Sequence, residues 1–522
     1  MDDPNLFRCY SDSDMVFQLL KSLAGARAGD VSEDSIHPMR HDNTAWSIDG
    51  HWFQFTTGVD AGMKVGGYVH LDTYGGASYL GQITDIKACN ASKEQTRIAG
   101  RGAIRAVVDG KQRPAAAAAA FGSAEISHAK PEVVRAHFER VRGRKAGLEI
   151  GTMRRVSNGL PATVQAAGFG RHTLVCGQSG SGKTYSLGVI LERLLLETGL
   201  RIVVLDPNSD YARLGELRNA EDTGLEPSVH AALAERYGVA TSKLSVFGTR
   251  PGQKPLRTRF GRLSIAQQAL VLDLHPLRDA REYNIFRRIV REIGTTEYTL
   301  SDIRQRAAAM FDDASRDLAI RIENLDVEDL SIWAPKGEAP VTDLLHVDWR
   351  AIVLDLGSLR SAGERSMMAA SIVAHAWNSR NDRHPTLIVI DEAHNICPQD
   401  PADRFQAMAS EDLVAIAGEG RKFGLYLLLV TQRPQKLHVN VLSQCENLVL
   451  MRMNSASDIE HLTTIFSHVP APLIRQATSF ELGQGLAAGR IAPDPMLFQT
   501  GARYSVEGGS DIPSTWARPR DS

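Results

Sequence analysis

The segment Gly177-Gln178-Ser179-Gly180-Ser181-Gly182-Lys183-Thr184 puts three glycines and one ammonium between an apolar run, HTLVC, and an amphipathic stretch, YSLGVILERLLLE. Its composition is that of a flexible linker, yet both flanks need burial. The pattern Gly-x-x-x-x-Gly-Lys-Thr between a strand and a helix resolves the conflict, because that is the layout of a phosphate-binding loop. Glycines let consecutive backbone N–H groups wrap a phosphate, and the helix start adds partial positive charge. Lys183 is then expected to meet the β/γ-phosphates of ATP and Thr184 to ligate Mg²⁺, with Gly177 to Tyr185 as the nucleotide-binding stretch.

A phosphate loop of this kind needs a carboxylate beyond a second buried strand. TLIVIDEAHN supplies Asp391 for the Mg²⁺ shell and Glu392 as general base for the attacking water. The strand LYLLLVTQ ends at Gln432, which is placed to sense the γ-phosphate, to hold the water, or merely to cap a loop. In GEGRKFG, Arg421 is either part of a solvated basic pair with Lys422 or a group that reaches across a subunit boundary to transition-state charge. Arg171, just before the loop strand, is a second candidate. The letters DEAH also occur in two-lobed helicases, but the roughly 70 residues after position 453 are too few for a second lobe. One motor domain per chain implies that a neighbouring subunit completes each site.

Composition sets outer bounds. A chain of 522 residues predicts more than one domain, and the formal charge of −2 gives no global basic field of the kind that coats nucleic acid. The five cysteines are widely spaced with no CxxC pair, and the sixteen histidines form no cluster with metal-ligand spacing, so neither a disulfide framework nor a zinc site is expected. The acidic start MDDPNLFRCYSDSD is unlike a signal peptide, and no apolar run approaches the roughly 20 residues that cross a bilayer, so a cytoplasmic protein is expected.

The elements that must position these groups follow from periodicity. Residues 1–45 are read as an N-terminal extension with a short amphipathic helix, DMVFQLLKSLAG. Residues 46–165 are read as a small β-barrel with a linker helix, from glycine-separated β-like segments such as WSIDGHWFQFTTG and TRIAGRGAIRAVVDG. From 166 to 480, unbroken apolar strands alternate with helical patterns, which predicts a mainly parallel sheet covered on both faces. A largely helical insertion is expected at about 212–345, and residues 481–522 as late strands and an arm. The fold class is therefore α/β: a RecA-like P-loop ATPase with a small N-terminal barrel.

Taken together, GGYVHLDTYGGASYLGQITDI, HTLVCGQSGSGKT, VVLDPNSDYARL, TLIVIDEAHN, EGRKFGLYLLLVTQRPQKL and MRMNSASD resemble the HerA family of prokaryotic ring ATPases, within the HerA/FtsK superfamily. One departure is DPNSDY at 206–211, where relatives commonly carry a His-Gly-Glu-Tyr type sequence and this chain keeps an acid, Asp210. The resemblance implies a homo-hexameric, ATP- and Mg²⁺-dependent motor on double-stranded DNA in its pore. It matches Lys183, Thr184, Asp391, Glu392 and Gln432 to the family's roles, and puts Arg421 and Arg171 where trans-acting arginines are expected. It further implies a partner docked on the barrel: the nuclease NurA in DNA-end resection, or a nuclease or Sir2-like NADase in antiphage defence. Two functions follow, a DNA translocase feeding an effector and an ATP-responsive ring scaffold that regulates one.

Overall fold

The computed structural model describes residues 43–90, 96–108, 113–156, 159–295, 297–345 and 348–509. The amphipathic helix expected at the N-terminus and the end of the C-terminal arm lie outside them. The chain divides into two compact units, with the boundary at Gly143 and the segment Arg154–Leu160 returning to the first.

The first unit is a closed antiparallel barrel. Around it run Trp52–Gly58, Thr44–Ser47, Phe121–His128, Tyr68–Thr73, Ser78–Asn90 and Thr96–Val107, and the last strand pairs with the first. Phe53, Phe55, Leu71 and Ile83 fill its interior. Gly102 and Gly100 stand opposite Phe53 and Phe55, and a Cβ at either glycine would collide with the facing ring. Strand glycines here are room for aromatic core. A single helix, Pro131–Arg142, follows with proline in its first turn.

The second unit is built on one twelve-stranded sheet. Its parallel part runs Lys254–Pro255, Leu244–Gly248, Ala351–Asp355, Arg201–Asp206, Thr386–Ile390, Leu425–Thr431, Thr173–Cys176 and Asn447–Met451. Five of these strands, at 173, 351, 386, 447 and nearly all of 201, are wholly buried, as unbroken runs such as TLIVI and NLVLM require of strands covered on both faces. Four antiparallel strands extend the sheet: Gln484–Ala488, Met496–Thr500, Gly147–Met153 and Pro161–Gln165.

One sequence expectation changes here. The hairpin 147–165, read as the end of the barrel segment, pairs instead with Met496–Thr500 and closes the edge of the large sheet. Gly151, at φ +154°, would drive a Cβ into the backbone of Gln499, so only glycine lets these strands approach. The largely helical insertion at 212–345 also carries a strand, Leu244–Gly248, which pairs in parallel with Ala351–Asp355. Five residues without a strong apolar run gave too little local signal, and pairing with a buried neighbour made the strand. Among the described residues, no helix is long and apolar enough to cross a membrane.

Candidate nucleotide site

Parallel strands in register bring their carboxyl ends to one edge. Cys176 lies beside Thr431, Leu429 beside Ile390, and Ile390 beside Leu205, so the loops after all four strands open on the same side. The phosphate loop therefore emerges next to Asp391 and Glu392, Gln432 and Asp206. Crevices beyond strand carboxyl ends are where open α/β sheets bind ligands.

The loop has a fixed shape. Gly180 and Gly182 sit at φ +70° and +87°, and Gly182 caps the helix Lys183–Glu197, whose first turn holds Lys183 and Thr184. A Cβ on Gly177 would lie 2.7 Å from Met451 Cβ and Ser181 Oγ. Gln178 N donates to Arg452 O at 2.9 Å, and Arg452 Nη2 donates to Gly180 O at 3.0 Å, so the residues after Asn447–Met451 brace the loop from outside. Arg452 went unassigned in the sequence because nothing local ties MRMN to a loop 270 residues earlier.

Lys183 is buried and its Nζ donates to Glu392 Oε1 at 3.3 Å; Gln432 Nε2 donates to the same oxygen at 3.0 Å. Glu392 holds a left-handed backbone, φ +45°, and such a conformation in a non-glycine residue costs on the order of 1 kcal/mol. The turn aims its carboxylate back at Lys183. Its other oxygen, Oε2, is buried without a hydrogen bond, with His394 Nδ1 at 3.3 Å and bonded instead to Thr431 Oγ1 at 2.9 Å. Oε2 is thus an acceptor left open in a buried place.

Asp391 is joined by two acids that sequence reading did not group with it. One carboxylate oxygen each from Asp206, Asp210 and Asp391 lie within 4.8 Å of one another. Burial pushes the Asp391 and Asp206 carboxyls up to about 7, and raises Asp210 as well. Asp206 accepts from Tyr211 N at 2.8 Å and Asp210 N at 3.0 Å, which partly offsets that cost. Three carboxylates in one place, two buried and one half-buried, all resisting ionisation, are an all-oxygen set that suits a hard divalent cation such as Mg²⁺. The signal lay in DPNSDY, but only the pairing of Arg201–Asp206 with Thr386–Ile390 brings it to Asp391.

The Tyr185 hydroxyl accepts from Arg503 N at 2.8 Å, on a C-terminal segment that crosses the loop helix. There buried Glu192 accepts from Tyr504 N and Ser505 N at 2.8–2.9 Å and from Arg193 Nη1 at 2.8 Å. Arg171 and Arg421 are not at this edge. Both precede the strands whose far ends carry the site, and from Arg171 to Gly177 the extended chain covers roughly 20 Å.

A P-loop nucleoside-triphosphatase site on a RecA-like sheet is thus the class that this fold and these side chains define. Residues 148–372 match the family model described as the central domain of helicase HerA. Over 133 residues the chain is 33% identical to a probable helicase of Methanocaldococcus jannaschii, covering 26% of this chain and 25% of that one. It is 22% identical to the DNA double-strand break repair helicase HerA of Sulfolobus acidocaldarius over 67% of this chain and 69% of the relative. Its alignment thus spans about a quarter of the length of the first of these relatives. Among solved structures, VirB4 of Thermoanaerobacter pseudethanolicus superposes with a TM-score of 0.48 at 16% identity, over 68% of this chain and 97% of that one. Over residues 148–372 the ATPase unit is thus similar to the HerA central domain.

Proposed function

We propose that the protein is an ATP-hydrolysing, homo-hexameric motor on double-stranded DNA, in which each nucleotide site is completed by the next subunit. The observation that carries this reading is the convergence of Lys183 and Gln432 on one carboxylate oxygen of Glu392, in the same site as the acids Asp206, Asp210 and Asp391. Lys183 leaves Glu392 for the terminal phosphates when ATP enters the loop. Glu392, freed and still held by Gln432, takes the proton of the attacking water. Asp391, with Thr184, Asp206 and Asp210, would hold Mg²⁺, which supplies charge neutralisation at the phosphates. Arg421 and Arg171, on the far edge of the sheet, serve the neighbour's site. DNA as the track is supported by relatives named as DNA double-strand break repair helicases, and its duplex form is proposed with it. An effector nuclease or Sir2-like NADase on the barrel, in end processing or antiphage defence, is the partner proposed with it.

The test is a matched pair of variants. Lys183→Ala should lose nucleotide uptake and turnover together. Glu392→Gln should keep nucleotide bound while kcat falls by about 10²-fold or more. Duplex DNA should raise the wild-type rate, with the effect fading as salt increases. A Lys183→Ala protein that turns over ATP normally, or an assembled ring indifferent to duplex at low salt, would end the reading.

A further inference from the structure

At the edge of the sheet opposite the phosphate loop, three guanidinium groups from distant segments meet one carboxylate. Glu446 Oε1 takes Arg421 Nη1 at 2.6 Å, while its Oε2 lies 3.4 Å from Arg171 Nε and 3.6 Å from Arg490 Nε. All four side chains are open to solvent, Arg490 most of all at 70%. Three cations around one anion leave two positive charges unbalanced on a surface, an arrangement that favours a multiply charged anion.

The backbone beneath is built to hold this grouping. Asn447, wholly buried, donates to Gly168 O at 3.0 Å and Thr173 Oγ1 at 2.9 Å, and accepts from Ile491 N at 3.1 Å. It thereby ties together the segments that carry Arg171 and Arg490. His172 bonds the backbones on both sides of Arg421, at Ala417 O and Leu427 N, each at 3.0 Å, and its own carbonyl accepts from Glu446 N. Gly489 has φ +98° and packs so closely on Glu446 O that a Cβ there would overlap it.

We propose that Arg490 completes, with Arg171 and Arg421, a three-arginine site for the terminal phosphates of a nucleotide held by a second copy of this chain, with Glu446 as the resident counter-ion. Glu446 keeps the three like charges gathered until the phosphates replace it, which makes it a positioning residue. This rests on the reading that sites are completed between subunits, and adds an arginine and a carboxylate to it.

The experiment uses the full chain and ATP. Arg490 is exposed, so Arg490→Ala should fold. It should lower kcat at least tenfold with KM within about twofold, and Arg490→Lys should recover part of the loss. Glu446→Gln should lower kcat severalfold at unchanged KM, since the nucleotide itself is held by the phosphate loop; a wild-type kcat overturns the positioning role. Mixed assemblies assign the subunit: wild type doped with Lys183→Ala/Arg490→Ala chains should run slower than wild type doped equally with Lys183→Ala chains. Equal rates overturn the proposal. So does a loss of duplex affinity with DNA-free turnover intact, which would make the ligand a DNA phosphate. If Lys183→Ala alone hydrolyses ATP at the wild-type rate, it is the underlying reading that has failed.

Discussion

Lys183 and Glu392 each depend on a third group to be useful, and the same is true of the histidine at the other edge. His172 is buried between Ala417 O and Leu427 N, so one ring nitrogen donates and the other accepts, and the ring must be neutral. Burial holds its imidazolium down to about 4. The folded value lies below the unfolded one, so the unfolded chain binds the extra proton first as pH falls. The stability His172 gives is complete above about 6.5 and is lost between there and about 4, up to about 3 kcal/mol. Urea unfolding from pH 7.5 to 4.5 should show this slope, and His172→Gln should flatten it. Unchanged slopes would mean that the ring is protonated in the fold.

At the scale of elements, the loop helix Lys183–Glu197 carries an internal glycine that helix propensity alone disfavours. Gly188 is there because the Arg503 guanidinium, fully buried, occupies the place of a side chain: a Cβ would stand 2.5 Å from its Cζ. The C-terminal segment and the phosphate loop are thereby packed as one body. Gly188→Ala should displace Arg503 and destabilise the fold by about 1–3 kcal/mol. Gly199→Ala, at an exposed glycine with open space around it, should be near neutral in the same melts. Equal melting of the two variants would show that Arg503 yields without cost.

For the whole molecule, the separation of the arginines from the phosphate loop by the length of a strand has a kinetic consequence. On the proposed split site, nucleotide binding uses one chain, whereas turnover uses two. Specific activity per chain should therefore drop steeply when the protein is diluted below its assembly range, while binding of a fluorescent ATP analogue persists in proportion to protein. Activity that stays constant per chain into the monomer range would place all catalytic groups on one subunit.

What the sequence determined by itself is the placement, on loops and strand ends, of groups that lie in consecutive residues. Gly177 to Thr184, the pair Asp391–Glu392 and Gln432 are each readable because a loop's shape or a strand's apolar run is fixed by its own neighbours. The barrel, the parallel sheet and most of its strands were legible for the same reason. The tertiary structure alone decided which distant pieces meet: Asp206 and Asp210 with Asp391, Arg452 with Gly180, Arg503 with Gly188, and Glu446 with three arginines. It also moved the hairpin 147–165 from the barrel to the sheet. Strand order and register set these meetings, and they come from packing buried faces across hundreds of residues, which no local pattern of residue types records.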